Sequence, residues 1–289
     1  MRFLLQLVAV FVAWAVGGTL ATAVEGRWAL QLVLSLAAAA LALGTYAWVV
    51  RRTEHRPPPD LPRTGAGRAL ARGTAGGMLW FVAVIGVVAA LGAYRVEGWG
   101  SVTTASALLG LAAGAAAAEE VVFRGVLLRH LEARVGTWVA LVVTAVLFGA
   151  VHLTNPAATT WGVTALTIEA GLSLGAAYVA TRSLWLPVGL HLGWNFAMSG
   201  VFGTELSGND TPTGLLDGVT SGPILLSGGA FGPEASLVAV ASGVVLTIVL
   251  MRVAYRRGHV VPLPRRSDQG SDQGSDQGSS HATPATVAS

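Results

Sequence analysis

Apolar residues along this chain come in long blocks, not in the alternation of a half-buried strand. Such blocks cover residues near 3–24, 28–50, 75–93, 102–128, 137–153, 162–181, 184–202 and 236–255. Each is close to the roughly 20 residues that a helix rising ~1.5 Å per residue needs to cross ~30 Å of hydrocarbon. An outer-membrane barrel would read instead as segments of about ten residues with polar and apolar positions alternating, and no such alternation is visible. The pattern predicts an all-α fold, a polytopic transmembrane bundle of about eight helices.

The polar connections add sidedness. All basic residues are arginine, and they favour every second connection. Arg51, Arg52, Arg56, Arg63, Arg68 and Arg72 crowd one loop, Arg129 and Arg134 the next but one, and Arg182 lies two loops further on. Arg252, Arg256, Arg257, Arg265 and Arg266 follow the final block. The intervening loops hold only Arg27 and Arg95, and the longest of them, 203–235, carries Glu205, Asp210, Asp217 and Glu234 with no basic residue. Short arginine-rich loops stay on the cytoplasmic side during insertion, so both termini are expected to be cytoplasmic. Four segments emerge: a two-helix transmembrane leader (1–50), a basic Pro-rich cytoplasmic linker (51–73), a core (74–257) and a tail (258–289). From Ser267 the tail repeats SDQG, a composition too polar to offset its own ordering entropy, and is read as disordered. Arg2, a short apolar run and ATA at 21–23 resemble a signal peptide. The preferred reading is a retained helix.

Composition agrees with a membrane solvent: 53% of residues are hydrophobic, 11% are charged and the mean hydropathy is +0.62, a balance rare in water-soluble domains. The net charge of +3 and pI near 9.9 follow from the arginine sidedness and from contact with anionic lipid, so nucleic acid is not expected as a partner. With no cysteine there is no disulfide, thiol chemistry or cysteine metal site.

Against this background the run AAAAEEVVFRG (115–125) stands out. A charge at membrane depth costs at least ~2.5–3.5 kcal/mol, so Glu119, Glu120 and Arg124 must face a protein interior or a water-filled cavity. Glu120 and Arg124 are four apart with the acid N-terminal, the better orientation for an ion pair on one helix face. Glu119 lies about 100° around the helix, on the face of Ala115 and Phe123, and is left without that partner. Two later helices carry further pairs at the same spacing: Phe148 with His152 in FGAVH, and His191 with Asn195 in HLGWN. Each membrane histidine alone is adequately explained as an interhelical hydrogen-bonding residue. An unpaired carboxylate, two imidazoles and a carboxamide on three helices together form a set with chemical use. A carboxylate and a histidine can take a proton from water, and a histidine and an asparagine can donate hydrogen bonds to a developing oxyanion. The combination suggests hydrolysis of a carbonyl substrate.

The stretches EEVVFRG (119–125), FGAVH (148–152) and SLWLPVGLHLGWNF (183–196) resemble the EExxxR, FxxxH and HxxxN motifs of the CPBP family. That family contains the type II CAAX prenyl proteases and the bacteriocin-immunity Abi-like proteins. The resemblance implies an intramembrane endopeptidase of the glutamate type. In it, Glu119 and His152 would activate a water, His191 and Asn195 would support the oxyanion, and Glu120, Arg124 and Phe148 would support the site. The leader, the acidic loop and the tail lie outside the resemblance and inherit nothing from it. The implied substrate is a membrane protein or membrane-associated peptide. Prenylated CAAX tails are expected of eukaryotic relatives, whereas the Arg-only, Ala-rich composition suggests a bacterial plasma-membrane protein without such substrates.

No cofactor is expected, with zinc held by Glu119, His152 and His191 as the alternative. Against zinc, there is no HExxH helix, and Asn195 is a poor zinc ligand but a good hydrogen-bond donor. A depth count raises a difficulty: at ~1.5 Å per residue His152 lies ~22 Å from the cytoplasmic end of its helix and His191 ~11 Å from its own. Either the fifth helix begins in the cytoplasm or its boundary differs. Glu169 is read as a lone hydrogen-bonded packing carboxylate, with lining of the cavity as the alternative, beside a GLSLG stretch suited to close helix contact. His130 is read as having no specific role, and Trp48, Trp99, Trp138, Trp161 and Trp185 as interfacial anchors. Two other functional classes remain open: a non-catalytic scaffold or self-immunity protein, and a proton-coupled transporter, the latter disfavoured by the lack of a repeated half.

Overall fold

The computed structural model of the protein describes residues 1–263; the SDQG repeats lie outside the described residues. In chain order the elements begin with helices α1 (Arg2–Thr22), α2 (Trp28–Glu54) and α3 (Ala66–Ala90), then strand β1 (Tyr94–Trp99). Next come α4 (Val102–Glu120), which runs directly into a π-helical segment (Val121–Leu128), and α5 (Arg129–Val151) with a 3₁₀ turn (His152–Thr154). The helices α6 (Thr160–Leu166) and α7 (Ser173–Thr181) flank a second π segment (Thr167–Leu172), and α8 (Trp185–Asn195) ends in a third (Phe196–Val201). Strand β2 (Leu216–Thr220), the single turn α9 (Ile224–Ser227) and α10 (Leu237–Arg256) complete the described chain.

Six helical stretches are long and apolar enough to cross a membrane. One of them, Val102–Thr154, has 53 residues, and at ~1.5 Å per residue would be more than twice as long as a bilayer is thick. It folds back at Gly136, whose φ of 74° and ψ of 169° break the helix. A side chain there would be strained by the positive φ and would meet the Pro262 carbonyl oxygen at 2.9 Å. The two arms of that stretch, the four other long single helices, α6 with α7, and α8 with its π extension make a bundle of about eight rods, as the hydropathy pattern predicts.

Local chemistry fixes where several helices begin. Ser101, Thr159 and Ser236 accept the backbone N–H of Thr104, Gly162 and Ala239 at 3.2, 2.9 and 3.1 Å, capping α4, α6 and α10. The outer faces of α1, α2, α5 and α10 expose large apolar side chains at helical spacing, such as Leu4 and Val8, Val142 and Val146, Val245 and Val249. In water these would drive association; against lipid tails they are the solvated surface. The interior packs by close backbone approach. Gly73 and Gly77 on α3 face Gly189 and Gly193 on α8: a Cβ on Gly73 would stand 2.9 Å from the Gly189 Cα, and one on Gly77 2.9 Å from the Trp194 nitrogen. This contact carries α3 back to Ala66, into the segment read from sequence as linker. The GLSLG stretch behaves as expected, with a Gly171 Cβ position only 3.0 Å from the Ala145 backbone on α5.

The sequence reading treated both 94–99 and 216–220 as loop. They form a two-stranded antiparallel ribbon, pairing Tyr94 with Thr220 and Trp99 with Leu216. The partners are far apart in sequence, so no hairpin signal marked them. The ribbon fixes one end of the bundle: Thr213 lies against Gly100, where a Cβ would be 2.7 Å from its Cγ2. Thr64 immediately precedes α3 at the opposite end of a helix of 25 residues, about 37 Å long. Cysteines at Thr64 and Thr213, in a chain without native cysteine, should therefore label with a membrane-impermeant maleimide from opposite sides. Labelling of both from one side would overturn this topology.

Candidate active site

The end of α4 is a run of small residues, Ala115 to Ala118, that brings Glu119 and Glu120 into the interior; Glu120 is fully buried and Glu119 nearly so. The i,i+4 pair expected from spacing forms: Arg124 Nη1 donates to Glu120 Oε1 at 2.8 Å, with both side chains buried. The rest of the guanidinium is also satisfied. Nη2 donates to the Gly171 and Ala170 carbonyls at 3.1 and 3.3 Å, and the group stacks 4.7 Å above the Phe148 ring centroid. Phe148 thereby supports the arginine, and its edge-on contact with Phe123 at 5.1 Å holds the ring in place.

Glu120 has a second partner that spacing along one helix could not reveal. His191 Nδ1 donates to the same Oε1 at 3.0 Å, which leaves Nε2 facing Glu119 Oε2 at 3.9 Å. The buried acid therefore orients the imidazole of α8 as well as the guanidinium of its own helix. His152 is fixed differently. Its Nδ1 lies 2.8 Å from the Phe148 carbonyl oxygen; a carbonyl only accepts, so Nδ1 carries the hydrogen and Nε2 of the neutral ring holds a lone pair.

Glu119, Phe148, His152, His191 and Asn195 all line one cavity of about 100 Å³, space for a few waters at ~30 Å³ each. The sequence motifs thus converge on one place, with Glu120 and Arg124 immediately behind its wall. One boundary bears on the depth count. The fifth helix does start at the Gly136 corner, but the preceding helix runs unbroken to that corner, so Glu119 and His152 are counted from the same low point. Helix α8 follows Leu184, which is fully buried and whose N–H donates to the Asp60 carbonyl. Each of the three π segments adjoins or contains a cavity-lining acid or amide: 121–128 follows Glu119, 167–172 contains Glu169 and 196–201 follows Asn195. Widened turns of this kind recur at functional sites because they re-aim the side chains beside them.

Four more polar contributors were missed or misread. Glu169 is not a hydrogen-bonded packing residue: it is fully buried, lines the cavity, and neither carboxyl oxygen has a partner among the described residues. Ser207, Asn209 and Glu234 come from the acidic loop, which folds back over the cavity. Burial pushes the Glu234 carboxyl up to about 7. Glu169 was visible in sequence as a membrane carboxylate; Glu234 sat in a long loop without periodicity, and nothing local distinguished it from the other acids there.

Among the described residues no three His, Asp or Glu side chains gather as a metal set. His191 Nδ1 and His152 Nδ1 bond oxygen acceptors, which leaves both Nε2 atoms to the cavity.

The multi-helix bundle thus gathers two adjacent glutamates, an arginine, two histidines and an asparagine at or behind the wall of one small cavity. Residues 99–197, which contain all three motifs, match the family model for type II CAAX prenyl endopeptidase Rce1-like proteins. The motif-bearing region is therefore similar to the CAAX-type intramembrane proteases, within a multi-pass membrane protein. No match was found among curated proteins or solved structures.

Proposed function

We propose that the protein is an intramembrane endopeptidase of the glutamate type that works without a metal. Glu119 takes a proton from a water held between it and His152 Nε2, and the resulting hydroxide attacks the peptide carbonyl carbon. Asn195 donates a hydrogen bond from its carboxamide to the oxygen as it becomes an oxyanion, and His191 donates one from Nε2 as the imidazolium whose Nδ1–H is held by Glu120. Collapse of the tetrahedral species breaks the C–N bond, and the proton taken by Glu119 passes to the departing amine. Glu120 and Arg124 are positioning residues: they fix His191 and the helix carrying Glu119. The substrate is a membrane protein or membrane-associated peptide, and the arginine distribution supports a plasma-membrane orientation with both termini cytoplasmic.

The observation that carries this reading is the shared cavity of Glu119, His152, His191 and Asn195. The direct test is turnover of a membrane-peptide library by the full chain in proteoliposomes, read by mass spectrometry of new termini. Asn195→Ala is expected to lower kcat by about 10²–10³-fold with KM little changed, because the lost hydrogen bond matters mainly in the transition state. Loss of activity on chelation, with recovery on adding zinc, would overturn the metal-free mechanism. Absence of any cleavage, together with full biological function of Glu119→Gln in the cell, would establish the non-catalytic scaffold.

A further inference from the structure

The mechanism above leaves two buried carboxylates of the cavity unused. Glu169 is fully buried with both oxygens unpartnered, and Glu234 is 1% exposed with Oε1 unpartnered. Both line the same cavity. An isolated carboxylate in a low-dielectric site is costly and needs a proton or a cation.

Among the described residues no arginine lines the cavity, and Arg124 is committed to Glu120 and the two backbone carbonyls. Ser207, Trp194 and His191 are the groups beside Glu234 that favour its charged form, and Glu169 has none of them. Helix α6 carries no charged residue and α10 none from Leu237 to Met251. The two imidazoles each use Nδ1 elsewhere, His191 on Glu120 and His152 on the Phe148 carbonyl. Glu169 is also held rigidly, because Gly243 lets α10 approach until a Cβ there would stand 2.6 Å from the Glu169 Cα.

The walls beside these acids are aromatic. Trp80 and Trp194 line the cavity with ring centroids 4.3 Å apart, and the Trp80 Nε1 donates to Ser242 Oγ at 2.8 Å, which anchors that ring. Carboxylates beside indole rings are the chemistry that recognises an ammonium or guanidinium group. The cavity's small volume suits such a headgroup.

We propose that Glu169 and Glu234, walled by Trp80 and Trp194, form a subsite that takes the cationic side chain of a lysine or arginine beside the scissile bond of the substrate. This rests on the endopeptidase reading and adds a substrate class to it. Glu234 titrates near neutrality through its burial, so an arriving cation can readily displace its proton.

The test compares matched membrane peptides that differ at one position flanking the cleaved bond, lysine or arginine against norleucine, with the full chain in nanodiscs. Wild type is expected to prefer the basic peptides by at least about tenfold in kcat/KM, as loss of a buried charge partner implies. Glu169→Gln and Glu234→Gln should each move that ratio towards one, and Glu169→Asp should retain part of it. The ratio is taken within each variant, so a smaller folded fraction cancels. No basic preference in wild type, or a preference unchanged in both variants, overturns the subsite. If wild type cleaves none of the peptides, the endopeptidase reading fails separately, and equilibrium binding of the same fluorescent peptides decides. Tighter binding of the lysine peptide, lost in the variants, upholds the subsite; equal binding of both peptides overturns it.

Discussion

Replacing Glu119 with glutamine is expected to lower turnover by about 10²–10⁴-fold, the range typical of removing a general base, while the protein still inserts and folds. The substitution keeps the shape of the side chain and removes its basicity. Folding should survive because Glu119 makes no ion pair with an arginine: its nearest charged neighbour is His191, at 3.9 Å, and its Oε2 has no hydrogen-bond partner among the described residues. The measurements are kcat in proteoliposomes and the thermal midpoint of the purified variant. A midpoint far below wild type would make Glu119 a structural residue, and retention of turnover would remove it from the mechanism.

Glu120→Gln is expected to behave in the opposite manner, with stability as the larger loss. Arg124 is 2% exposed and Glu120 is fully buried, so the variant leaves a guanidinium in the bundle interior without its counter-charge, held by neutral acceptors such as the Ala170 and Gly171 carbonyls. Breaking one partner of a buried pair costs about 3–5 kcal/mol, whereas replacing both with apolar groups of similar volume is often close to neutral. Equilibrium unfolding in detergent should therefore show Glu120→Gln strongly destabilised, and Glu120→Leu combined with Arg124→Met recovering most of the loss. Activity should not return in the double variant, because the carboxylate that orients His191 Nδ1 at 3.0 Å is gone. Recovery of turnover there would mean that His191 needs no such orientation.

What the sequence revealed depended on the range over which each interaction acts. The rods, the Glu120–Arg124 pair and the shared faces of Phe148 with His152 and His191 with Asn195 are short-range consequences of helical periodicity, and all can be read from spacing. The Gly136 corner was marked by its loop boundary. Other features need the third dimension. The His191–Glu120 bond joins two helices, and the ribbon of β1 and β2 joins segments on either side of the motif region. The reach of α3 back to Ala66 follows from glycines on α8. Glu169 was misread because a lone carboxylate gives no sign in sequence of whether a partner waits for it. Glu234 was missed because loops carry no periodicity to say which face they present.

The leader helices have a bearing on how the protein can be dissected. Tyr46 on α2 donates to the Gly125 carbonyl at 3.0 Å and also bonds Asp60, while Arg129 is held by Glu54 on α2 and by the Gln6 carboxamide on α1. Gly125 itself lies in the π segment that follows Glu119 and Glu120, with no room for a side chain against the Tyr46 ring 3.1 Å away. Excising the portion that resembles the CAAX prenyl endopeptidases would sever this polar seam and take from Arg129, the buried Asp60 and the Gly125 carbonyl the partners they have here. The unit of inheritance marked by the motifs is thus smaller than the unit of folding, and a minimal folded fragment must keep both leader helices.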